Sequence, residues 1–129
     1  MRIKLTSIYV DDQEKALRFY TDVLGFVKKA DVTNQGYRWL TVASPEDPDG
    51  VELQLALNDA PAAKAYQQAL RESGHPAAIF HSSDLQADYD RLARMGVVFT
   101  APLSKHPWGS IVVLDDTVGN LIQLTQPAW

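Results

Sequence analysis

The sequence contains no cysteine. This absence excludes a disulfide framework, thiol catalysis and any cysteine-ligated zinc or iron–sulfur centre. A basic face is also missing, because 12 Lys and Arg residues stand against 16 Asp and Glu residues and give a formal net charge of −4. Since a general nucleic-acid binder needs a basic surface, the acidic balance argues against that class of protein.

Long apolar runs are absent as well. No stretch approaches the roughly 18 apolar residues of a membrane span, and residues 1–5 (MRIKL) do not begin the apolar segment of a signal peptide. The lack of cysteine fits a reducing compartment, so we expect a cytoplasmic protein. The sequence also has no glycine-rich phosphate loop between a strand and a helix and no Gly-x-Ser-x-Gly nucleophile elbow.

The composition that remains is typical of a globular protein. Of the 129 residues, 46% are apolar and 22% are charged, which is close to the average for globular chains. A chain of this size buries about two thirds of the surface that its unfolded chain exposes, so it can fold stably without disulfide bonds or other crosslinks. We expect a single domain over residues 1–129.

The chain contains an internal repeat. Segment 47–55 (DPDGVELQL) resembles segment 116–124 (DTVGNLIQL), with Asp, Gly, Gln and Leu at matching places. Before each copy, over 8–25 and 80–96, the sequence predicts a strand and then a helix that ends at a glycine. The sequence therefore predicts two copies of one unit, 3–57 and 77–126, joined by a linker helix within 58–76.

Each copy is predicted to contain one strand, one helix and two or three further strands. Asp11 or Asp12 can cap the first helix, the apolar residues that follow recur every three or four positions, and Gly25 ends it. Segments 30–36 and 101–109 are predicted as loops. The predicted strands are 5–10, 37–43, 51–57, 77–81, 97–100, 110–114 and 120–125, and the other predicted helices are 62–73 and 84–95.

Three segments carry a family resemblance: IYVDDQEKALRFYTDVLGF, DPDGVELQL and DDTVGNLIQL. They resemble the vicinal oxygen chelate superfamily, which holds glyoxalase I, bleomycin-resistance proteins and extradiol dioxygenases. The resemblance covers residues 3–126. It implies an α+β fold in which two tandem βαβββ units form a U-shaped mixed sheet around a concave cup, with the helices outside. It also implies a homodimer.

The resemblance places the metal ligands of this superfamily on four strands, one ligand on each. In this sequence they fall on Leu5, Gln54, Ala77 and Gln123. None of these residues offers an imidazole or an ionised oxygen, which are the ligands that a divalent cation prefers. We therefore expect no metal and no other cofactor, although metal-dependent relatives use a divalent cation.

Strand alternation divides the side chains into two sets, because successive residues of a strand point to opposite faces. One set lies on the face opposite Leu5, Gln54, Ala77 and Gln123. This set is almost wholly apolar, as expected for a sheet face that is covered by helices. The other set is mixed and would face the cup. Its members are Leu5, Ser7, Tyr9, Glu52, Gln54, Ala56, Ala77, Ile79, His81, Leu121, Gln123 and Thr125.

Several residues are candidates for holding a ligand. The amides of Gln54 and Gln123 can donate and accept hydrogen bonds, although they could instead bond each other or the backbone. Trp39, Tyr37 and Trp108 could stack on a flat ring, and His106 could join Trp108 or remain an exposed loop histidine. The predicted ligand-binding residues are Leu5, Ser7, Tyr9, Trp39, Gln54, Ala77, Ile79, Trp108 and Gln123.

The sequence leaves three functions open. The first is a metal-free protein that holds an aromatic or polar organic molecule, as bleomycin-resistance proteins do. The second is a glyoxalase-type lyase or isomerase that uses Glu52 or His81 as a base, with or without a displaced divalent metal. The third is a dimeric scaffold or regulator with a vestigial cavity. No nucleic-acid or membrane partner is expected.

Overall fold

The computed structural model describes all 129 residues. Their contacts divide into two compact units, Met1–Lys64 and Ala65–Trp129, which are described separately below. Helix α2 (Pro61–Glu72) runs across the boundary between them. None of the helices has the length and apolarity that a membrane crossing needs.

The first unit is a four-stranded sheet with one helical segment. Its strands are β1 (Leu5–Val10), β2 (Val27–Asn34), β3 (Tyr37–Ala43) and β4 (Glu52–Leu57). They lie in the order β1-β4-β3-β2. The β1–β4 pair is parallel and the other pairs are antiparallel. Between β1 and β2, helix α1 (Gln13–Arg18) continues into a π-helical turn, Phe19–Val23.

The second unit repeats this arrangement. Its strands are β5 (Ala78–His81), β6 (Phe99–His106), β7 (Gly109–Asp115) and β8 (Leu121–Pro127), and helix α3 (Leu85–Arg94) follows β5. The strand order is β5-β8-β7-β6, again with a parallel first pair. The predicted α+β class and the duplicated βαβββ unit are thereby confirmed.

An aspartate side chain caps helix α1 in the first unit and helix α3 in the second unit. The cap on α1 is the predicted one. The carboxylate of Asp12 accepts a hydrogen bond from the Lys15 amide at 3.0 Å, and that of Asp84 accepts one from the Ala87 amide at 3.1 Å. Each satisfies an amide that the first helical turn leaves without a partner. Gly25 follows the first helical segment with φ of 90°, which glycine adopts without steric strain.

The apolar set of strand residues forms the core of each unit. In the first unit Ile8, Val10, Leu40 and Leu55 are buried, together with Ala16 of α1. The second unit buries Val112, Leu114, Ile122 and Leu124 of the sheet, and Leu85 and Leu92 of α3. The predicted apolar set therefore supplies the core, although Leu57 of that set is exposed and Leu121 and Thr125 of the mixed set are buried.

Two predicted loops are wrong. Residues 30–34 belong to β2, and only Gln35 and Gly36 form the turn before β3. Residues 101–106 belong to β6 and not to a loop. Both segments are edge strands whose backbone hydrogen bonds come from β3 and β7, and register shifts interrupt both pairings. Their irregular, polar sequences hide the period of two that identifies a strand.

Candidate functional site

The mixed face of the first sheet lies opposite its buried apolar face. Strand pairing sets Leu5 beside Glu52, Ser7 beside Gln54 and Tyr9 beside Ala56. On the other side of β4, Thr41 lies beside Gln54, so Tyr37 and Trp39 share the face by alternation along β3. We call this surface the first-unit face. Its residues are Leu5, Ser7, Tyr9, Tyr37, Trp39, Thr41, Glu52, Gln54 and Ala56.

Gln54 lies at the centre of a hydrogen-bonded group on the first-unit face. Its Oε1 accepts from the Ser7 hydroxyl at 2.9 Å, and its Nε2 donates to the Tyr37 hydroxyl at 2.9 Å. The side chain is buried, with 7% exposure, whereas Tyr37 is 57% exposed. The amide is thus fixed by two side chains and orients the phenol, which a ligand can reach.

Glu52 is the carboxylate of the first-unit face. Its Oε1 accepts from the hydroxyl of the fully buried Thr41 at 2.6 Å. Glu52 is half-buried and takes part in none of the ion pairs of the chain. A negative charge without a cationic partner is therefore held at one end of β4.

Rings and aliphatic side chains surround this polar group. Trp39 is half-buried and lies beside Val32 of β2, which is exposed. Leu5 and Tyr9 on β1 are about two-fifths exposed, at 41% and 38%. The first-unit face therefore combines accessible apolar surface with a fixed amide, which is the usual composition of a site for an organic molecule.

The corresponding face of the second sheet has a different character. Ile79 lies beside Gln123, and His81 lies beside Thr125. The Gln123 Nε2 donates to the Thr125 hydroxyl at 2.9 Å, and Ile79 and His81 are exposed. Ala77 immediately precedes β5, and its amide donates to the Leu121 carbonyl. This second-unit face is aliphatic, with one amide and one imidazole.

Trp108 and His106 are brought together by the β6–β7 turn. Their rings are stacked with centroids 4.8 Å apart and planes 1° apart. The imidazole also lies within hydrogen-bond distance of the Ser104 hydroxyl, with Oγ and Nε2 separated by 3.1 Å. Trp108 is 47% exposed, so the pair presents a flat surface at one end of the second sheet.

The predicted metal positions do not fit a divalent cation. In the first unit, Leu5 has no ligand atom and the Gln54 amide is engaged by Ser7 and Tyr37. In the second unit, Ala77 has no ligand atom and the Gln123 amide donates to Thr125. No three His, Asp or Glu side chains cluster as they would around a metal ion. These four residues therefore do not form a metal site of the kind that the resemblance implies for metal-dependent relatives. The convergence of the four positions in one hollow stays a prediction.

Tyr37, an aromatic candidate of the sequence analysis, and Thr41 are absent from the set of predicted ligand-binding residues. Both lie two residues from Trp39, so strand alternation already puts them on the same face. Their importance comes from contacts with Gln54 and Glu52, which depend on the register between β3 and β4 and are invisible in the sequence.

The duplicated strand–helix–three-strand unit, with one apolar face and one mixed face, defines a paired βαβββ protein. The family model of the Glyoxalase/Bleomycin resistance protein/Dioxygenase superfamily matches residues 2–124. The chain belongs to this family, the vicinal oxygen chelate superfamily of the sequence resemblance.

Similar proteins support the same family. The uncharacterized protein YurT of Bacillus subtilis strain 168 is 50% identical over 126 residues, which cover 98% of this chain and 99% of YurT. The crystal structure of UcmS2 has a TM-score of 0.84 and 31% identity, with 97% of each chain covered. TnmS3, an antibiotic binding protein from Streptomyces sp. CB03234, has a TM-score of 0.75 and 32% identity, covering 99% of this chain and 97% of TnmS3.

Proposed function

We propose that this protein binds a small organic molecule without a metal, and that the first-unit face supplies the contacts. The observation that carries the proposal is the group formed by Ser7, Gln54 and Tyr37 beside Trp39. Aromatic side chains provide large contact areas at low entropic cost, while a fixed amide orients the polar part of a ligand. The similarity to TnmS3, described as an antibiotic binding protein, supports this class of ligand.

A protein that only binds a ligand needs fewer chemical groups than an enzyme does. Sequestration of the bleomycin-resistance kind needs shape, stacking and hydrogen bonds, but no nucleophile and no metal. The first-unit face offers groups for stacking and hydrogen bonding, because its charged group is the single carboxylate of Glu52 and the rest is aromatic, aliphatic or neutral polar. An aromatic ligand with hydrogen-bonding substituents matches this composition.

Titration of purified protein with a panel of flat aromatic antibiotics tests the proposal. Compounds that bind should raise the melting temperature, since binding to the folded state alone stabilises it. Trp39→Leu and Gln54→Leu should keep the fold and weaken binding at least tenfold, about 1.4 kcal/mol. Trp129→Leu, at a tryptophan with 86% exposure, is the matched control and should bind as the wild type does. A panel without any shift, or unchanged binding by the Trp39 variant, would contradict the proposal.

The enzymatic alternative has one observation in its favour. Glu52 is a half-buried carboxylate that accepts a hydrogen bond from Thr41 and takes part in no ion pair, so it is a candidate general base for proton abstraction from a carbon next to a carbonyl. A glyoxalase-type lyase or isomerase would use Glu52, or His81 of the second unit, with or without a displaced divalent metal. The enzymatic alternative is tested by deuterium exchange at the carbon next to the carbonyl of an α-hydroxyketone, followed by NMR. Glu52→Gln or His81→Asn should abolish the exchange, and equal exchange with and without protein refutes this alternative.

We also propose that the protein is a cytoplasmic homodimer, as the family resemblance implies. Light scattering coupled to size-exclusion chromatography should give twice the chain mass of 14.3 kDa. A single species at the chain mass would refute the dimer.

A further inference from the structure

We propose that the second unit carries a separate site for a small organic carboxylate, on the face of its sheet that packs against α3. The site is a cavity of about 360 Å³ at the end of β6, β7 and β8. That volume lies within the range of about 300–1,000 Å³ that is usual for ligand pockets. The inference does not rest on the function proposed above, because it uses other residues.

Strand alternation places this cavity on the α3 side of the sheet. In β8, Ile122 and Leu124 are buried, and Gln126 is the next residue on the same face. The Gln126 Oε1 accepts a hydrogen bond from the amide of Leu85, the first residue of α3, at 2.8 Å. Ile79, His81 and Gln123 do not line the cavity, so it is distinct from the second-unit face.

The cavity exists because the sheet extends further than the helix that covers it. Helix α3 begins at Leu85, and the sheet residues buried on its side are Val112, Leu114, Ile122 and Leu124. The next row of the sheet, at Ser110 and Gln126, is only half-buried. Leu85, Leu103 and Pro127 line the apolar part of the space that is left.

Three hydrogen-bond donors form a row along one wall of the cavity. Lys105 on β6 pairs with Ser110 on β7, which pairs with Gln126 on β8. Residues that are directly opposite across strands have Cβ atoms about 4.5–5.5 Å apart. All three residues line the cavity, so an ammonium, a hydroxyl and an amide can reach the same small group.

These donors are available to a ligand. Lys105 takes part in none of the ion pairs of the chain, and no side-chain hydrogen bond engages it or the Ser110 hydroxyl. Gln126 uses its oxygen towards Leu85 and keeps its Nε2 for another acceptor. No Asp or Glu side chain lines the cavity, so no internal carboxylate competes for the ammonium.

The chemistry of the wall selects one class of ligand. A carboxylate accepts through two oxygens with about four lone-pair sites, which matches one ammonium, one hydroxyl and one amide. Besides the ammonium of Lys105, the one other basic group of the lining is the His106 imidazole, so the single charge of a carboxylate matches the wall more closely than a phosphate dianion does. The apolar wall formed by Leu85, Leu103 and Pro127 suits a short hydrocarbon or ring attached to the carboxylate.

Fragment binding followed by NMR of the ¹⁵N-labelled full chain tests this inference, with benzoate and its neutral isostere benzamide as probes. Benzoate should shift the amide signals of Leu85, Ser110 and Gln126 and bind at least fivefold more tightly than benzamide. Lys105→Met should weaken benzoate binding about tenfold and remove the preference over benzamide, because charge-assisted hydrogen bonds are the stronger ones. Ser110→Ala should weaken benzoate binding by a smaller factor.

Lys64→Met is the matched control, because Lys64 is an exposed lysine of α2 away from the cavity lining. It should bind benzoate as the wild type does. Gln54→Leu should also keep benzoate binding, so failure of the antibiotic-binding proposal and failure of this one are distinguishable. Equal binding of benzoate and benzamide, no effect of Lys105→Met, or shifts confined to other residues would each overturn the carboxylate site.

Discussion

Asp116 shows how one buried polar residue organises the turn between β7 and β8. It is fully buried, and its Oδ1 accepts from the amides of Val118 and Asn120 at 3.0 and 2.9 Å. Its Oδ2 accepts from the Asn120 side chain at 2.7 Å, and Gln67 of α2 donates to the oxygen of the Asn120 amide. The repeated Asp and Gly of the sequence therefore mark a structural turn in the second unit, apart from any binding role.

We expect Asp116→Ala to lower the free energy of unfolding by about 2–4 kcal/mol, because it leaves buried donors without an acceptor. Chemical denaturation followed by circular dichroism measures this change. Asp11→Ala, at an exposed carboxylate, should change stability by less than about 0.5 kcal/mol. Equal losses in the two variants would show that the hydrogen bonds of Asp116 are not the cause.

Arg38 ties three segments of the first unit together. Its Nε and Nη2 donate to the two carboxylate oxygens of Asp31, each at 2.9 Å, and its Nη1 donates to Glu14 at 2.8 Å. The hydrogen bonds from Arg38 lower the pKa of Asp31 below the usual range of an aspartate, and those with Asp31 and then Glu14 raise the pKa of Arg38. Arg38 precedes Trp39 in β3 and therefore points to the opposite face of the sheet, the face that packs against α1.

The lowered pKa of Asp31 predicts a pH-dependent contribution to stability. A carboxylate whose pKa is lower in the folded state stabilises the fold above its unfolded pKa, and this contribution is lost as the pH falls through the folded value. Wild type should exceed Asp31→Asn by up to about 1 kcal/mol at pH 7, and the difference should shrink below pH 3.8. Urea denaturation at pH 7 and at acidic pH measures it. A difference that grows on acidification would contradict the assignment.

At the scale of elements, the best-predicted segments are those whose sequence pattern is local. Strands β1 and β3 begin and end as predicted at 5–10 and 37–43, because both are rich in β-branched and aromatic residues and end at turn residues. Strand β2 was missed, and of β6 only the first two residues, Phe99 and Thr100, fall within a predicted strand. Both strands lie at sheet edges, and β6 contains Pro102 beside a register shift, which an edge strand tolerates.

The candidate site shows the same limit. Alternation predicts that Ser7, Gln54 and Trp39 share one face, and the strand pairing confirms this. The partners of Gln54 could not be predicted, because Ser7 and Tyr37 lie 47 and 17 residues away along the chain. Such contacts depend on strand order and register, which are set by the whole sheet and not by neighbouring residues.

Helix α3 allows a test of capping at the scale of one element. Asp84→Ala removes the acceptor of the Ala87 amide and should cost about 1 kcal/mol of unfolding free energy. Asp90→Ala, in the same helix, removes only the side-chain partner of Gln86 and should cost less than half as much. Thermal denaturation of the two variants compares them, and an equal or larger loss for Asp90→Ala would show that the cap is unimportant.

At the scale of the whole molecule, the prediction concerns metal content. Protein purified without a histidine tag should contain less than about 0.1 divalent ions per chain, because none of the four positions inherited from metal-dependent relatives carries a preferred ligand. Elemental analysis by mass spectrometry measures this content. Added Zn²⁺, Ni²⁺ or Mn²⁺ should leave the melting temperature unchanged, and one tightly held ion per chain would refute the metal-free proposal.

The separation of a core side from an accessible side in the first sheet also has a practical consequence. Stability resides in Ile8, Val10, Leu40 and Leu55, whereas Leu5, Tyr9 and Trp39 belong to the other side of the same strands. Combinatorial libraries at these three positions should therefore yield many folded variants with altered ligand preference. Under the binding function proposed above, such libraries are a starting point for the directed evolution of new receptors.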